Sequence, residues 1–105
     1  MSTTDNELRS KSYDAFLQSE LSDPELAAAY LSAAVEDGSV EQLMLALRAV
    51  AEAHGGISAV AENAHLNRQT MYRTLSSGGN PTVATLLSVL RVMGLNVAFV
   101  PASGR

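Results

Sequence analysis

Apolar residues recur three to four positions apart over much of the chain, and this spacing predicts amphipathic α-helices. The first clear helix opens at Asp23-Pro24-Glu25. Aspartate caps helix N-termini, proline fits the first turn, and glutamate favours the positive end of the helix dipole. Asp37-Gly38 is predicted to end this helix. Its predicted buried face consists of Leu26, Tyr30, Leu31, Ala34 and Val35.

Two further helices are predicted from similar start signals and the same apolar spacing. Ser39 and Gln42 have the spacing of a capping box, and the helix that they begin is expected to end at His54-Gly55-Gly56. Asn80-Pro81 predicts the start of the last helix, and Gly94 predicts its end near Met93. The predicted inward residues are Leu43, Leu47, Val50 and Ala51 in the earlier helix, and Val83, Leu86, Leu87, Leu90 and Met93 in the later one.

Between these helices, the pattern over residues 57–75 predicts two short helices joined by a tight turn. Asn67 is the predicted N-cap of the second short helix. The predicted packing residues are Val60 and Ala61 in the first helix, Leu66 in the turn, and Met71 and Leu75 in the second helix. Residues 76–79 are predicted to be a plain connecting loop. The fold class is therefore all-α, with a body of five helices.

The second short helix carries polar residues suited to DNA. Arg68 can pair with guanine, Gln69 with adenine, and Thr70 with a polar base edge or a thymine methyl group. Arg73 is expected to point outward with them. Residues 57–75 are thus predicted to be a helix-turn-helix whose second helix enters the major groove. The alternative is an ordinary helical pair with a solvated polar face.

The two ends of the chain differ from this helical body. Residues 1 to about 10 are polar and predicted to be disordered, and the segment after them is expected to be a helical extension that packs onto the body. Residues 95–100 contain β-branched and aromatic residues before Pro101, which predicts a short C-terminal β-strand. The predicted organisation is an N-terminal arm at 1–22, a single helical domain at 23–100 and a tail at 101–105.

The predicted strand needs a partner, because a single strand leaves its backbone hydrogen-bonding groups unpaired. Two partners are possible: residues 13–17 of the same chain, or the same strand of a second subunit. The second would give a two-fold homodimer. We expect the homodimer, because helix-turn-helix proteins commonly read paired half-sites about one DNA turn apart.

Charge is divided unevenly along the chain, whose net charge is −4. Residues 1–52 contain three basic and ten acidic residues, a net charge of −7, whereas residues 53–105 contain four basic residues and one acidic residue, a net charge of +3. A basic half suits a phosphate backbone, and an acidic half suits a basic protein partner. The acidic residues could equally serve only to solvate helix surfaces.

Length and composition exclude several classes of protein. The chain has 105 residues, of which 47% are hydrophobic, and this suits one domain with one core. No apolar run approaches the roughly 20 residues of a membrane span, so we expect a cytoplasmic protein that does not bind membranes. Without cysteine there are no disulfides, and a metal site is not expected from His54 and His65 alone. We expect no cofactor and no enzyme activity, because no nucleophile, base and orienting group occur together.

Several separated motifs of the chain occur together in one known family. They are Asp23-Pro24-Glu25, Ala28-Ala29-Tyr30-Leu31, Glu36-Asp37-Gly38, Leu45-Ala46-Leu47, Met71-Tyr72-Arg73-Thr74-Leu75-Ser76, Gly79-Asn80-Pro81 and Thr85-Leu86. With these motifs the chain resembles the antidote proteins of bacterial addiction modules, which are type II antitoxins with a lambda-repressor-like, Cro-type helix-turn-helix. The resemblance spans residues from about 13 to 100.

The resemblance implies a protein that neutralises a cognate toxin and represses their shared promoter by binding an operator in double-stranded DNA. It implies a lambda-repressor-like fold. Toxins of such pairs are small and basic, often ribosome-dependent RNA cleavers, and this fits the acidic half. The toxin is expected to meet the acidic N-terminal part. The implied DNA contacts are Arg68, Gln69, Thr70 and Arg73, with Asn67 and Tyr72 contacting phosphate or capping the helix.

Two positions depart from the family pattern. His65 occupies the turn position that usually carries glycine, so a positive φ and strain of about 1 kcal/mol are expected there. Gly56-Ile57 stands where related repressors often place a polar residue that contacts phosphate. DNA binding is therefore expected to be modest and strongly salt dependent. A stand-alone helix-turn-helix regulator without a toxin, and an interaction adaptor that has lost DNA binding, are the alternative functions.

Overall fold

The computed structural model describes residues 13–36, 38–76 and 78–102 of the chain. Within these ranges the chain forms six helices. They are α1 at residues 13–21, α2 at Pro24–Glu36, α3 at Val40–Ala53, α4 at Ile57–Asn63, α5 at Arg68–Thr74 and α6 at Val83–Val92. The all-α class is confirmed, but the predicted count of five is wrong, because the N-terminal extension forms a helix of its own. The disorder predicted for residues 1–10 lies outside the described residues.

Helix α1 joins the protein core through its C-terminal end. Leu21 is 2% exposed, and Leu17, one turn earlier, packs against the buried cluster. Only Ser22 and Asp23 separate α1 from α2, and a carboxylate oxygen of Asp23 accepts a hydrogen bond from the backbone N–H of Glu25 at 2.8 Å. The capping role predicted for Asp23 is confirmed.

The core lies where α4 meets its neighbours. Helix α4 contacts α3, α5 and α6, and α2 packs against α3. Large side chains that are almost completely buried come from all of these helices except α2, and from the turns that follow α5 and α6. They are Met44, Leu47, Val50, Ile57, Val60, Met71, Leu75, Val89 and Met93. Helix α4 is thus fixed from three sides, which also fixes the position of α5.

The buried face of α2 differs from the predicted one. Ala27 and Leu31 are buried, whereas Leu26, Tyr30 and Val35 are 41%, 37% and 57% exposed. Apolar residues lie around most of this helix, so periodicity alone does not define one side. The contact with α3 selects the side on which Ala27 is completely buried.

Helix α6 begins later than predicted and buries mainly its C-terminal half. Its N-cap is Thr82, whose hydroxyl oxygen accepts a hydrogen bond from the backbone N–H of Thr85 at 3.1 Å. Asn80 and Pro81 therefore precede the cap. Val83 is 71% exposed and Leu87 is 36% exposed, so their predicted inward positions are wrong. The buried residues at this end are Val89, Leu90 and Met93.

The predicted C-terminal strand does not form within the described residues. Residues 95–100 are non-helical and belong to no β-ladder there. Leu95 is 9% exposed, whereas Val97, Phe99 and Val100 are 47%, 96% and 81% exposed. The prediction depended on a pairing partner, and no other described segment lies beside these residues as a strand.

Several predicted helix boundaries are confirmed by their hydrogen bonds. The hydroxyl oxygen of Ser39 accepts a hydrogen bond from the backbone N–H of Gln42 at 3.2 Å, which caps α3. After α6, Gly94 has a φ of 81°, and the backbone N–H of Leu95 donates to the carbonyl oxygen of Leu90 at 2.8 Å. This is the Schellman arrangement expected of a glycine stop.

None of the described helices is, on its own, both long and apolar enough to cross a membrane. Taken together, α3 and α4 have the length and apolar composition of a membrane span, but the chain bends by 86° at the break between them.

Candidate nucleic-acid interface

Helix α5 begins at Arg68 because Asn67 caps it. Asn67 has extended backbone angles, with φ −68° and ψ 129°, and its side-chain oxygen accepts a hydrogen bond from the backbone N–H of Thr70 at 2.9 Å. Its own carbonyl oxygen accepts from the backbone N–H of Met71, also at 2.9 Å. The predicted N-cap is confirmed, and the first turn of α5 is defined by these two bonds.

One side of α5 is anchored in the core. Met71 is 1% exposed and Leu75 is 2% exposed, as their spacing predicted. At 100° per residue, Gln69 and Arg73 lie one turn apart on the opposite side of the helix. Side chains at all six predicted DNA-contact positions are exposed in the described structure: Asn67, Arg68, Gln69, Thr70, Tyr72 and Arg73. The structure therefore leaves all six side chains accessible to solvent, with Gln69 and Arg73 on the side opposite Met71.

The turn between α4 and α5 has the positive φ expected where His65 occupies the position that usually carries glycine. His65 has a φ of 58°, in the left-handed region that favours glycine. The backbone N–H of Leu66 donates to the carbonyl oxygen of Ala61 at 2.8 Å, and that of His65 donates to Glu62 at 3.1 Å. These two bonds form a Schellman motif that turns the chain directly into Asn67. The positive φ predicted at His65 is confirmed.

Helix α4 supports this turn from the core. Ile57, Val60 and Ala61 are at most 1% exposed, and the helix begins after Gly56 without a side-chain cap. The start of α4 therefore presents no polar side chain at its cap position, as the sequence indicated.

Positive charge extends beyond α5 itself. Arg68 and Arg73 are exposed on α5, and Arg91 is exposed on α6. Arg91 lines a shallow surface cleft together with Asn63 and His65 of the α4–α5 connection. A third cation thus lies near the turn, although its position in the sequence, 18 residues after Arg73, does not indicate this.

Gly79 has a structural role that the sequence analysis missed. A Cβ atom built at Gly79 would overlap the backbone carbonyl group of Thr74, at the end of α5. Gly79 therefore has no room for a side chain, since its backbone lies tightly against the end of α5. In the sequence, the only sign of this close approach is the pair of adjacent glycines before Asn80. The pair does not indicate which of the two glycines lies against α5.

The described residues contain no arrangement typical of a metal centre. No group of three or more histidine, aspartate or glutamate side chains lies together among them. His54 forms the C-cap of α3, and its Nδ1 lies 2.9 Å from the carbonyl oxygen of Val50. The helix-end role predicted for His54 is confirmed.

Comparison with known families decides the class of this protein. Residues 10–101 match the family described as probable addiction module antidote protein. The chain belongs to this family. The chain is also 33% identical over 66 residues to an uncharacterized protein of Haemophilus influenzae, over 63% of this chain and 67% of that relative. No solved structure matches the chain.

Membership confirms the resemblance that the separated sequence motifs predicted. The match covers almost all described residues of the chain, including α5 and the turn before it. Antidotes of addiction modules act against toxins, so family membership also implies a toxin partner in general terms.

Proposed function

We propose that this chain is the antitoxin of a type II toxin–antitoxin module. It neutralises a cognate small basic toxin, and as a homodimer it represses its own operon by sequence-specific binding to double-stranded DNA. The observation that carries the proposal is the exposed polar side of α5, with Gln69 and Arg73 at its centre, in a chain of the antidote family.

The DNA-binding part rests on how α5 is held. Its apolar side is buried and its first turn is capped, so its outward side chains start from a rigid backbone. In this proposal α4, the turn and α5 act as a helix-turn-helix, and Arg68, Gln69 and Thr70 reach base edges from the first turn of α5. Arg73, one turn after Gln69, binds phosphate or guanine.

Asn67 and Tyr72 have different roles in the proposed interface. The side-chain oxygen of Asn67 is engaged in capping, which leaves its NH2 group free to donate to a phosphate oxygen. Tyr72 is 43% exposed beside Arg73 and can donate its hydroxyl group to phosphate. Both contacts would position α5 without reading sequence.

The toxin-binding part rests on charge. Residues 13–36, which form α1, α2 and the turn between them, contain five carboxylates and no lysine or arginine: Asp14, Glu20, Asp23, Glu25 and Glu36. On α1, Tyr13 and Phe16 are 61% and 60% exposed. Exposed aromatic side chains among uncompensated carboxylates suit a basic, partly apolar partner. We place the toxin on α1 and α2.

Both activities are binding activities, so the proposal includes no enzyme chemistry and no cofactor. Both would also be exercised in the cytoplasm, where the operator DNA is.

The proposal is tested by growth and by operator binding. The open reading frame next to this gene is induced alone and then together with this chain. We expect growth arrest that this chain relieves, and retention of the promoter fragment by the purified chain in a mobility-shift assay. If neither neighbouring reading frame is toxic, the antitoxin role is wrong, and operator binding alone would indicate a stand-alone regulator. Rescue without operator binding would instead disprove the autorepressor role.

A further inference from the structure

The C-terminal segment, residues 95–100, combines apolar exposure with unpaired backbone. Among the described residues, no backbone N–H or C=O group of residues 96–100 takes part in a backbone hydrogen bond. Phe99 is 96% exposed and Val100 is 81% exposed. Exposed backbone of this kind, with β-branched and aromatic side chains, pairs readily with another strand.

The start of the C-terminal segment is held firmly. Leu95 is buried, and its backbone N–H donates to the carbonyl oxygen of Leu90 at 2.8 Å. A Cβ atom built at Gly94 would lie 3.9 Å from Cγ of Pro24, so the segment leaves the protein beside the start of α2. In an extended segment, every second side chain lies on the same side. On the side that carries Leu95, Val97 and Phe99, the exposed fraction of the side chains rises from 9% through 47% to 96%. This side is therefore buried at Leu95 and exposed to solvent at Phe99.

The structure removes one of the two partners considered for this segment. Residues 13–17, the possible strand partner within the chain, belong to helix α1. A helix has its backbone groups engaged internally and cannot extend a β-ladder. The second copy of the chain is the partner that remains.

Charge favours pairing of the segment with itself. Residues 92–102 contain no charged side chain, so two copies can lie against one another without repulsion between like charges. The exposed apolar surface formed by residues 13–36 contains five carboxylates and no lysine or arginine, so two such surfaces would repel each other. The two surfaces therefore suit different partners.

We propose that residues 96–100 pair antiparallel with the same segment of a second copy, and that this two-stranded ribbon is the dimer interface. The inference rests on the homodimer of the proposed function and adds its location. An isolated two-stranded ribbon is marginal in water, and Val97 and Phe99 supply the apolar side that stabilises this one. Pro101, which has no N–H group, ends the pairing. The ribbon joins two α5 helices in a two-fold arrangement suited to paired half-sites.

Sedimentation equilibrium of the wild-type chain and of two charge variants tests the interface. Phe99→Asp places a carboxylate on each copy of the ribbon, and we expect the dimer dissociation constant to rise about 100-fold or more. Val40→Asp is the matched control, because Val40 is 61% exposed at the first position of α3. A wild-type monomer at 50 µM would overturn the inference. A dimer that Phe99→Asp leaves intact would overturn it too, while leaving the proposed function standing.

Cysteine cross-linking supplies a second, independent readout. The chain has no cysteine, so single substitutions at Asn96, Ala98 and Val100 report on one position each. In an antiparallel two-fold pair only the residue at the centre faces its own copy. With residues 96–100 paired to the same residues of the second copy, that centre is Ala98, so we expect disulfide formation to be highest for Ala98→Cys and absent for Val40→Cys. Equal cross-linking at all four positions, or none at any, would contradict the ribbon.

Discussion

The side-chain oxygen of Asn67 accepts a hydrogen bond from the backbone N–H of Thr70 at 2.9 Å, and this bond fixes the first turn of the helix that presents the proposed DNA contacts. Asn67→Ala removes the cap and should lower the free energy of unfolding by about 1 kcal/mol. Urea denaturation followed by circular dichroism measures this change.

Two replacements at the same position separate capping from phosphate contact. Asn67→Ser keeps a capping oxygen without adding charge, and Asn67→Asp keeps it while adding a negative charge. Both should retain nearly wild-type stability, but Asp should weaken operator binding. If Asn67→Asp binds the operator as well as the wild-type chain, Asn67 does not lie near a phosphate.

His65 holds the turn between α4 and α5 in a conformation that glycine adopts more easily. With a φ of 58°, His65→Gly should raise the free energy of unfolding by about 0.5–1 kcal/mol. His65→Val should lower it by about 1–2 kcal/mol, because β-branched residues rarely adopt positive φ. Urea denaturation of both variants checks the pair. Equal effects from glycine and valine would mean that backbone strain at His65 is not what matters.

Gly79 is expected to be intolerant of any side chain. Gly79→Ala would force the new methyl group against the backbone carbonyl of Thr74, and the free energy of unfolding should fall by about 3 kcal/mol or more. Gly78→Ala is the matched control, since a Cβ atom there meets nothing within 4 Å. Thermal unfolding should show a large loss for the first variant and almost none for the second.

Leu21 and Leu26 test which residues of the N-terminal helices belong to the core. Leu21 is 2% exposed and Leu26 is 41% exposed. Leu21→Ala should destabilise the protein by about 2–5 kcal/mol, and Leu26→Ala by about 0.5 kcal/mol or less. Denaturant titration of both variants measures the difference. A larger loss for Leu26→Ala would favour the buried face that the sequence pattern predicted.

Arg68 and Arg73 are expected to dominate operator binding. Changing each to alanine should lower operator affinity by about 1–3 kcal/mol, and loss of a phosphate contact should also reduce the dependence on salt concentration. Arg48→Ala is the control, because it removes the same charge from an exposed position of α3. Mobility-shift titrations at several salt concentrations measure both effects. Equal losses of operator affinity for all three variants would mean that Arg68 and Arg73 contribute only through the net charge of the protein.

The local signals of the sequence were sufficient for most helix boundaries near the site. Asn67, Ser39 and Asp23 cap the helices for which they were predicted, and Gly94 ends α6. The anchors Met71 and Leu75 are buried as their spacing indicated. These features depend on residues at most five positions apart, so their physical cause lies within the sequence itself.

What the sequence by itself determined is therefore the helical class, the caps and anchors of α5, and the antidote family. Only the tertiary structure decided which side of α2 is buried, because contact with α3 selects Ala27 and Leu31 from a helix that is apolar on several sides. It also left residues 96–100 without a partner within the described chain. Each of these outcomes depends on which segments meet in space, and local spacing carries no information about that.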